Sequence, residues 1–315
     1  MNIVFAGTPD FGAATLKAIL CDYKVSAVVT MPDRPAGRGM KERMSPVKEI
    51  ALLNTIPVLQ PEALGDPEFM EALKSYSPDI IVVSAYGSFF PKSVLCLPPL
   101  GCINVHASLL PKHRGASPIA QAILQGDSIA GVSIISMTSV LDAGPVLVSL
   151  STPLSPKMEV SALHNVLSCL GGKAVRIALQ RIEKGVVCSH EQCGTEATYA
   201  PKLGRRCTID WSKSASELDR FVRALGNFPG VYSTYNNKLI KIISLEPVTD
   251  IVRSIYGLPG AILSIHKTGI VVSCGDGCVR LLKLQKPGGK RLSAFEFSLG
   301  SGLAVGGVLG LGSVV

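Results

Sequence analysis

The chain has 315 residues, 47% hydrophobic and 17% charged, enough to bury two cores, so one large and one smaller domain is the length expectation. Its nine cysteines are odd in number and spread along the sequence, which argues against a disulfide framework and fits reduced, buried thiols. The formal net charge of +8 is uneven: residues 205–315 hold 14 Lys and Arg against 7 Asp and Glu, a net +7, which points this third towards a polyanion or a solvated basic surface.

Residues 2–6 read as a first strand, without the basic start and cleavage site of a secretory leader. Gly7-Thr-Pro-Asp-Phe-Gly12 follows. Pro9 and Asp10 break the G-x-G-x-x-G dinucleotide fingerprint, and Asp10 suits a helix cap but would repel a pyrophosphate. A helix over 11–20 leads to a strand over 25–30. The connection 31–46 is long for this kind of fold, as functional or mobile loops are, and carries Arg34, Arg38, Lys41 and Arg43 against Asp33 and Glu42. Helices over 46–53, 67–75 and 117–124 and strands over 80–84 and 102–106 continue a βαβ rhythm. That rhythm predicts an α/β fold, a doubly wound, Rossmann-like, mostly parallel sheet with helices on both faces. Apolar runs at 132–137 and 146–150 flank a short turn, and a helix over 159–184 closes a first domain drawn at 1–188.

A polar stretch with scattered Cys and Gly, 189–206, reads as a linker. Within Cys188-Ser-His190-Glu-Gln-Cys193, three metal-ligand residues have no partner cluster, so no metal is expected. The second domain, 207–315, has one helix over 214–225 and β-rich runs at 230–235, 239–245, 260–264, 269–274 and 279–284, the pattern of a small barrel. Cys274 and Cys278 flank a Gly-Asp-Gly hairpin turn. The tail 299–315 is apolar but full of glycine, too short for a membrane span, and expected to be poorly ordered. No membrane partner is expected, and with no apolar stripe asking for a partner the chain is expected to be a monomer.

The chemistry concentrates in Asn104-Val-His106-Ala-Ser-Leu-Leu-Pro-Lys-His-Arg-Gly115. Asn104 and His106 sit two apart at a strand end, so period-two geometry points both side chains to one side of the sheet. The Pro- and Gly-punctuated loop behind them runs over the surface, and a strand's carboxyl end is where an open α/β sheet keeps its chemistry. An amide and an imidazole can both donate to an oxygen gaining negative charge during attack on an acyl carbon, and an imidazole can also carry a proton. Asp142, in the turn between the two apolar runs, is the carboxylate expected to orient His106. Ser108 does not sit in a nucleophile elbow, so the pattern suits direct transfer of an acyl group between two bound substrates. Taken singly, Asn-x-His is also a capped turn and Asp142 also a turn residue.

The longer string narrows the choice. Asn104, His106, Ser108-Leu109-Leu110-Pro111, Arg114-Gly115, Pro118-Ile119 and then Leu141-Asp142-x-Gly144 resemble the formyltransferases that use 10-formyltetrahydrofolate. The first strand and turn, the 32–48 stretch, and Tyr199-Ala-Pro-Lys202 with Ile209-Asp-Trp211 and Val222-Arg-Ala224 resemble the same family. The likeness runs from residue 1 to about residue 297. Two positions depart from it: Ala143-Gly144-Pro145 stands where the family usually has Thr-Gly-Asp, and His113 where an aromatic, often Trp, precedes the motif arginine.

The resemblance implies that the α-amine of methionine carried by initiator tRNA attacks the formyl group on N10 of the folate through a tetrahedral intermediate. Asn104 and His106 would hold the oxyanion, while Asp142 would orient His106 and help move the proton. Ser84, Tyr86, Gly87, Ser108, Leu109, Leu110 and Pro111 would form the folate pocket. Arg34, Arg38, Lys41 and Arg114 would meet tRNA, Arg38 entering the acceptor end, and the basic second domain would be an OB-like barrel that binds tRNA. A cytoplasmic location is expected, as the reduced thiols suggest. The alternatives are a formyltransferase acting on glycinamide ribonucleotide or a nucleotide-linked amino sugar, and a non-catalytic RNA-binding protein on the same scaffold.

Overall fold

The computed structural model describes residues 1–36, 41–204, 206–226, 229–248 and 257–311. Along the chain, β1 (Ile3–Gly7), α1 (Asp10–Leu20) and β2 (Val25–Val29) precede a small antiparallel hairpin, β3 (Arg34–Ala36) and β4 (Lys41–Arg43), inside the long connection. Then come α2 (Pro46–Leu53), β5 (Val58–Leu59), α3 (Pro67–Ser75), β6 (Ile80–Ser84), α4 (Lys92–Leu95), β7 (Cys102–His106) and β8 (Arg114–Gly115). α5 (Pro118–Gln125), β9 (Ile129–Ser136), β10 (Val146–Pro153), α6 (Val160–Glu183) and β11 (Tyr199–Ala200) follow. The chain forms two compact units, the first made of Met1–Pro118, Ile129–Leu154 and Leu163–Ala200, the second of Ile119–Ser128, Ser155–Ala162 and the chain from Pro201 onward.

In the first unit seven strands lie in the order β10-β9-β7-β6-β1-β2-β5. β7, β6, β1, β2 and β5 run parallel, and β9 returns antiparallel beside β7. This is the mostly parallel sheet expected. Every residue of β1 and β6 is buried, as strands covered on both faces require. Val4, Ala6, Ile81, Val83 and Cys102 share one cluster with Phe69 and Leu73 of α3 and Val94 of α4. α6 packs on the opposite side: a Cβ added at its Gly171 would meet Val105 and Phe11. Asn104 and His106 continue the row begun by Cys102, so they extend the α3–α4 face towards the strand's carboxyl end.

Helix starts follow local chemistry. At α2, Ser45 accepts from the backbone N–H of Lys48 and Pro46 holds the first position, so the observed limits equal those expected. At α1 the expected Asp10 cap is not made: Pro9 occupies the cap position without a side-chain bond, and Asp10 lies in the first turn, at the positive end of the helix. Gly7 and Gly12 have a packing explanation, since a Cβ on either would lie 2.7 Å from the carbonyl oxygen of Ser84. The thiols are less buried than expected: only Cys102, Cys274 and Cys278 are buried and Cys96 is exposed at the end of α4, although all nine thiols are free.

The second unit contains β12 (Cys207–Thr208), α7 (Ala215–Leu225), β13 (Val231–Tyr235), β14 (Lys238–Val248), β15 (Ile262–His266), β16 (Gly269–Ser273), β17 (Cys278–Gln285), β18 (Arg291–Ser293) and α8 (Ala294–Leu299). Its sheet runs β12-β13-β14-β17-β16-β15, with β18 on β17. The expected barrel is not confirmed, because no pairing closes the two ends of this sheet among the described residues. Ser214 and Glu217 form a capping box, and Leu218, Val222 and Leu225 then share one face of α7 and enter the core.

The tail corrects the sequence reading. Leu303 and Leu309 are buried in the core with Trp211 and Tyr235, the N–H of Leu309 donates to Gly260 O and that of Gly310 to Thr234 O, both at 2.8 Å. Its glycines serve close approach: a Cβ on Gly307 would lie 2.5 Å from the Tyr235 hydroxyl, and one on Gly310 2.9 Å from the Trp211 ring. Through residue 311 the segment is part of the fold.

Candidate active site

β7 delivers Asn104 and His106 to one side of its carboxyl end, and the 137–145 turn between β9 and β10 brings Asp142 to meet them. Asn104 Nδ2 donates to Asp142 Oδ1 at 3.3 Å, and His106 Nδ1 lies 3.5 Å from Asp142 Oδ2. The side chains of His106 and Asp142 are only 6% and 8% exposed, so the pair is shielded from bulk water. His106 Nε2 sits 2.9 Å from the carbonyl oxygen of His113. A carbonyl oxygen only accepts, so Nε2 carries a hydrogen. Both ring nitrogens thus face acceptors, the environment an imidazolium needs when it forms.

Asp142 is held on all sides. Its φ is +49°, a left-handed conformation that Asp adopts more readily than most residues. Oδ2 accepts from the backbone N–H of Gly115 at 2.8 Å. Gly115 has a φ of +116°, and a Cβ there would lie 2.8 Å from Ala200 O, so only glycine fits. Gln192 Nε2 donates to the carbonyl oxygens of Asp142 and Gly144 at 2.8 and 2.7 Å.

The loop after β7 is anchored from two directions. Ser133 of β9 donates to Ser108 O and accepts from the N–H of Leu110, while Ser108 Oγ donates to Lys112 O. From the other side, β11 pairs in parallel with β8, Arg114 N–H donates to Thr198 O, and His113 N–H donates to Thr198 Oγ1. Part of the stretch read as a linker therefore builds the walls of the site. Gln192, inside the stretch that reads as a linker, is not among the residues the sequence singles out; among the described residues no group of three ligand side chains could hold a metal ion. A polar residue between cysteines gives no periodic signal, so nothing in the sequence alone marked it.

Two of the expected site residues are buried. Arg114, expected to meet tRNA, is only 7% exposed, and its Nε and Nη2 both donate to Gln192 Oε1, at 3.1 and 2.7 Å. Ser84 is fully buried, its hydroxyl against Thr15 Oγ1 at 3.0 Å and its carbonyl oxygen against Gly7 and Gly12, so it shapes the end of β6 without presenting a surface of its own. Tyr86 is buried edge-on to Phe90, and burial pushes its phenol up to about 12. Gly87, with φ of +99° and open space where a Cβ would stand, ends this turn. Leu109, Leu110 and Pro111 are half-buried along the other wall.

In the hairpin connection, Arg34 is 69% exposed and within 3.9 Å of Glu62. Its base is tied by Lys48, which bonds Asp33 and Gln60. The Lys48 hydrogen bond holds the Asp33 carboxyl below its ordinary range. Lys41 begins β4, and Arg38 lies outside the described residues.

A model of the formyl transferase family matches residues 1–179. The chain belongs to the formyl transferase family. A second model of that family, its C-terminal domain, matches residues 205–302. The methionyl-tRNA formyltransferase of Aromatoleum aromaticum is 44% identical over 308 residues, covering 97% of this chain and 96% of the relative. That of Pseudomonas entomophila is 45% identical over 295 residues, covering 93% and 94%. Among solved structures, an N-formyltransferase from Helicobacter canadensis, in complex with folinic acid and dTDP-3-aminofucose, aligns with a TM-score of 0.65 at 17% identity, covering 89% of this chain and 98% of that one. At that identity the likeness is one of fold.

Proposed function

We infer that this chain transfers the formyl group of 10-formyltetrahydrofolate to the α-amine of methionine on initiator tRNA, giving N-formylmethionyl-tRNA for translation initiation. The observation that carries this reading is 44% identity to a methionyl-tRNA formyltransferase over 97% of the chain, the basic second unit included. In the reaction a bond forms between the amine nitrogen and the formyl carbon, the bond from that carbon to N10 breaks, one proton leaves the amine and one reaches N10. Asn104 keeps one amide N–H on Asp142 and turns the other to the oxygen that gains charge. His106 reaches that oxygen and carries the proton by exchanging the His113 carbonyl at Nε2 for the substrate, while Asp142 at Nδ1 balances the charge of the ring. The 85–87 turn that follows β6 and the 108–111 wall receive the folate. Arg34, Arg38 and Lys41 meet the tRNA, whose phosphates are also drawn to the basic domain over 207–315. Arg114 acts from behind the site, through Gln192.

The enzyme works as a monomer in the cytoplasm. Nine free thiols suit a reducing compartment, and among the described residues no helix is long and apolar enough to cross a membrane.

The reading is tested by offering 10-formyltetrahydrofolate with three acceptors: methionyl initiator tRNA, a charged elongator tRNA, and a small amine such as glycinamide ribonucleotide. Formylation of the initiator is expected to dominate; preference for the small amine would reassign the substrate, and activity on none would leave only an RNA-binding scaffold. In the same assay Arg38→Ala is expected to raise the KM for tRNA or lower kcat while folate affinity stays near wild type. Weakened folate binding in that variant would remove Arg38 from the tRNA path.

A further inference from the structure

We infer that Gln192 is a positioning residue for this reaction, the clamp that sets the Asp142 turn against the loop carrying His113, Arg114 and Gly115. The inference rests on the formyl-transfer reading above and adds to it a residue that touches neither substrate.

The geometry is that of a saturated amide. Gln192 Oε1 accepts from Arg114 Nε at 3.1 Å and Nη2 at 2.7 Å, while Nε2 donates to Asp142 O at 2.8 Å and Gly144 O at 2.7 Å. A guanidinium only donates and a carbonyl oxygen only accepts, so the amide has one orientation that satisfies all four contacts. Its two halves face different parts of the site. The oxygen half is fixed to Arg114, adjacent to Gly115, whose N–H holds Asp142 Oδ2, and to His113, whose carbonyl holds His106. The nitrogen half grips the turn on both sides of Ala143.

Asp142 needs such a grip. A non-glycine residue at φ +49° persists only where its surroundings over-determine it, and here the carbonyls on either side of the turn are tied to one side chain. The dependent quantity is the placement of the carboxylate 3.5 Å from His106 Nδ1. Displacement of a reacting group by about 1 Å can cost on the order of 10² in rate. Gln192 therefore acts on kcat through Asp142, without contributing to substrate affinity.

Gln192→Glu separates this role from simple packing. It is nearly isosteric and keeps an oxygen for Arg114, with added charge, but it sets carboxylate oxygens against the Asp142 and Gly144 carbonyls in place of the two N–H donors. If Gln192 served only to satisfy Arg114, Glu would be the best-tolerated replacement. Steady-state formylation of initiator tRNA is expected to lose at least about tenfold in kcat, with KM for both substrates within about threefold. Gln192→Met, which removes both halves, is expected to lose kcat as much and melting temperature as well. A Gln192→Glu enzyme with kcat within about twofold of wild type, or with its loss confined to KM, overturns the inference. If Gln192→Glu does not fold, Gln192→Asn decides by the same kcat-against-KM split, since its amide is one methylene too short to span both loops. Absence of formylation by the wild-type protein would instead be a failure of the function reading, which the same assay registers first.

Discussion

Asp142→Asn is expected to lower kcat for formyl transfer by about 10²–10³ while leaving both KM values within a few-fold, because its carboxylate has three neighbours that an amide cannot serve together. Oδ1 accepts from Asn104 and Oδ2 from the Gly115 N–H, with His106 Nδ1 next to Oδ2. An Asn side chain offers one oxygen, so its NH₂ must face either the Asn104 amide or the Gly115 N–H, both donors. It also removes the negative charge that faces His106 when the ring is protonated. The choice of Asn makes the result decisive. Asn tolerates the left-handed backbone at least as well as Asp, so a residue needed only to shape the turn would lose almost nothing. Single-turnover formylation of charged initiator tRNA, read alongside thermal unfolding, distinguishes the two roles; a rate within tenfold of wild type would reduce Asp142 to a turn former. His106→Ala should lose at least about 10² in the same measurement.

What the sequence made legible here was local or periodic. β6 and β7 and helices α2 and α3 have the limits expected because short apolar runs, a Ser cap and first-turn prolines mark them within a few residues. The meeting of Asn104 and His106 needed only the period of a strand. The support of the site was not legible, because it depends on pairs far apart in the chain. Asp142 is 27 residues from Gly115 and 50 from Gln192, and His113 is 85 from Thr198. Such contacts leave no periodic trace, so 189–206 looked like a spacer although Gln192, Thr198 and β11 lie against the site loop. The tail misled for a different reason. Its glycine content resembles disorder, yet at 307 and 310 the missing Cβ is what lets backbone lie against Tyr235 and Trp211. Barrel closure is the same kind of quantity: short β-rich runs announce strands but not which edges pair.

The second large effect is expected at Gly144, where a substitution far milder than those in the catalytic set should disable the enzyme. An alanine Cβ would lie 1.8 Å from the carbonyl oxygen of Ser136, less than any real contact of this kind, so backbone on one side or both must move. Ser136 cannot yield freely, since β9 is paired with β7 and its N–H donates to Pro145 O at 3.0 Å. The displaced element is therefore the 138–145 turn, and Asp142 travels with it away from His106. Gly144 does not occupy the left-handed region, so the cost comes from contact and not from backbone conformation. Overpacking of this kind destabilises by about 1–3 kcal/mol or more, and about 1 Å of misplacement at Asp142 costs roughly 10² in kcat. Gly144→Ala should thus lower both melting temperature and kcat, whereas Asp142→Asn lowers kcat with little change in stability. Gly65→Ala is the matched control, for a Cβ there meets no atom within 4 Å and the change should be neutral or slightly stabilising. A Gly144→Ala enzyme of wild-type activity would mean that the turn can shift without moving the carboxylate, and the dependence of catalysis on its placement would fall with that result.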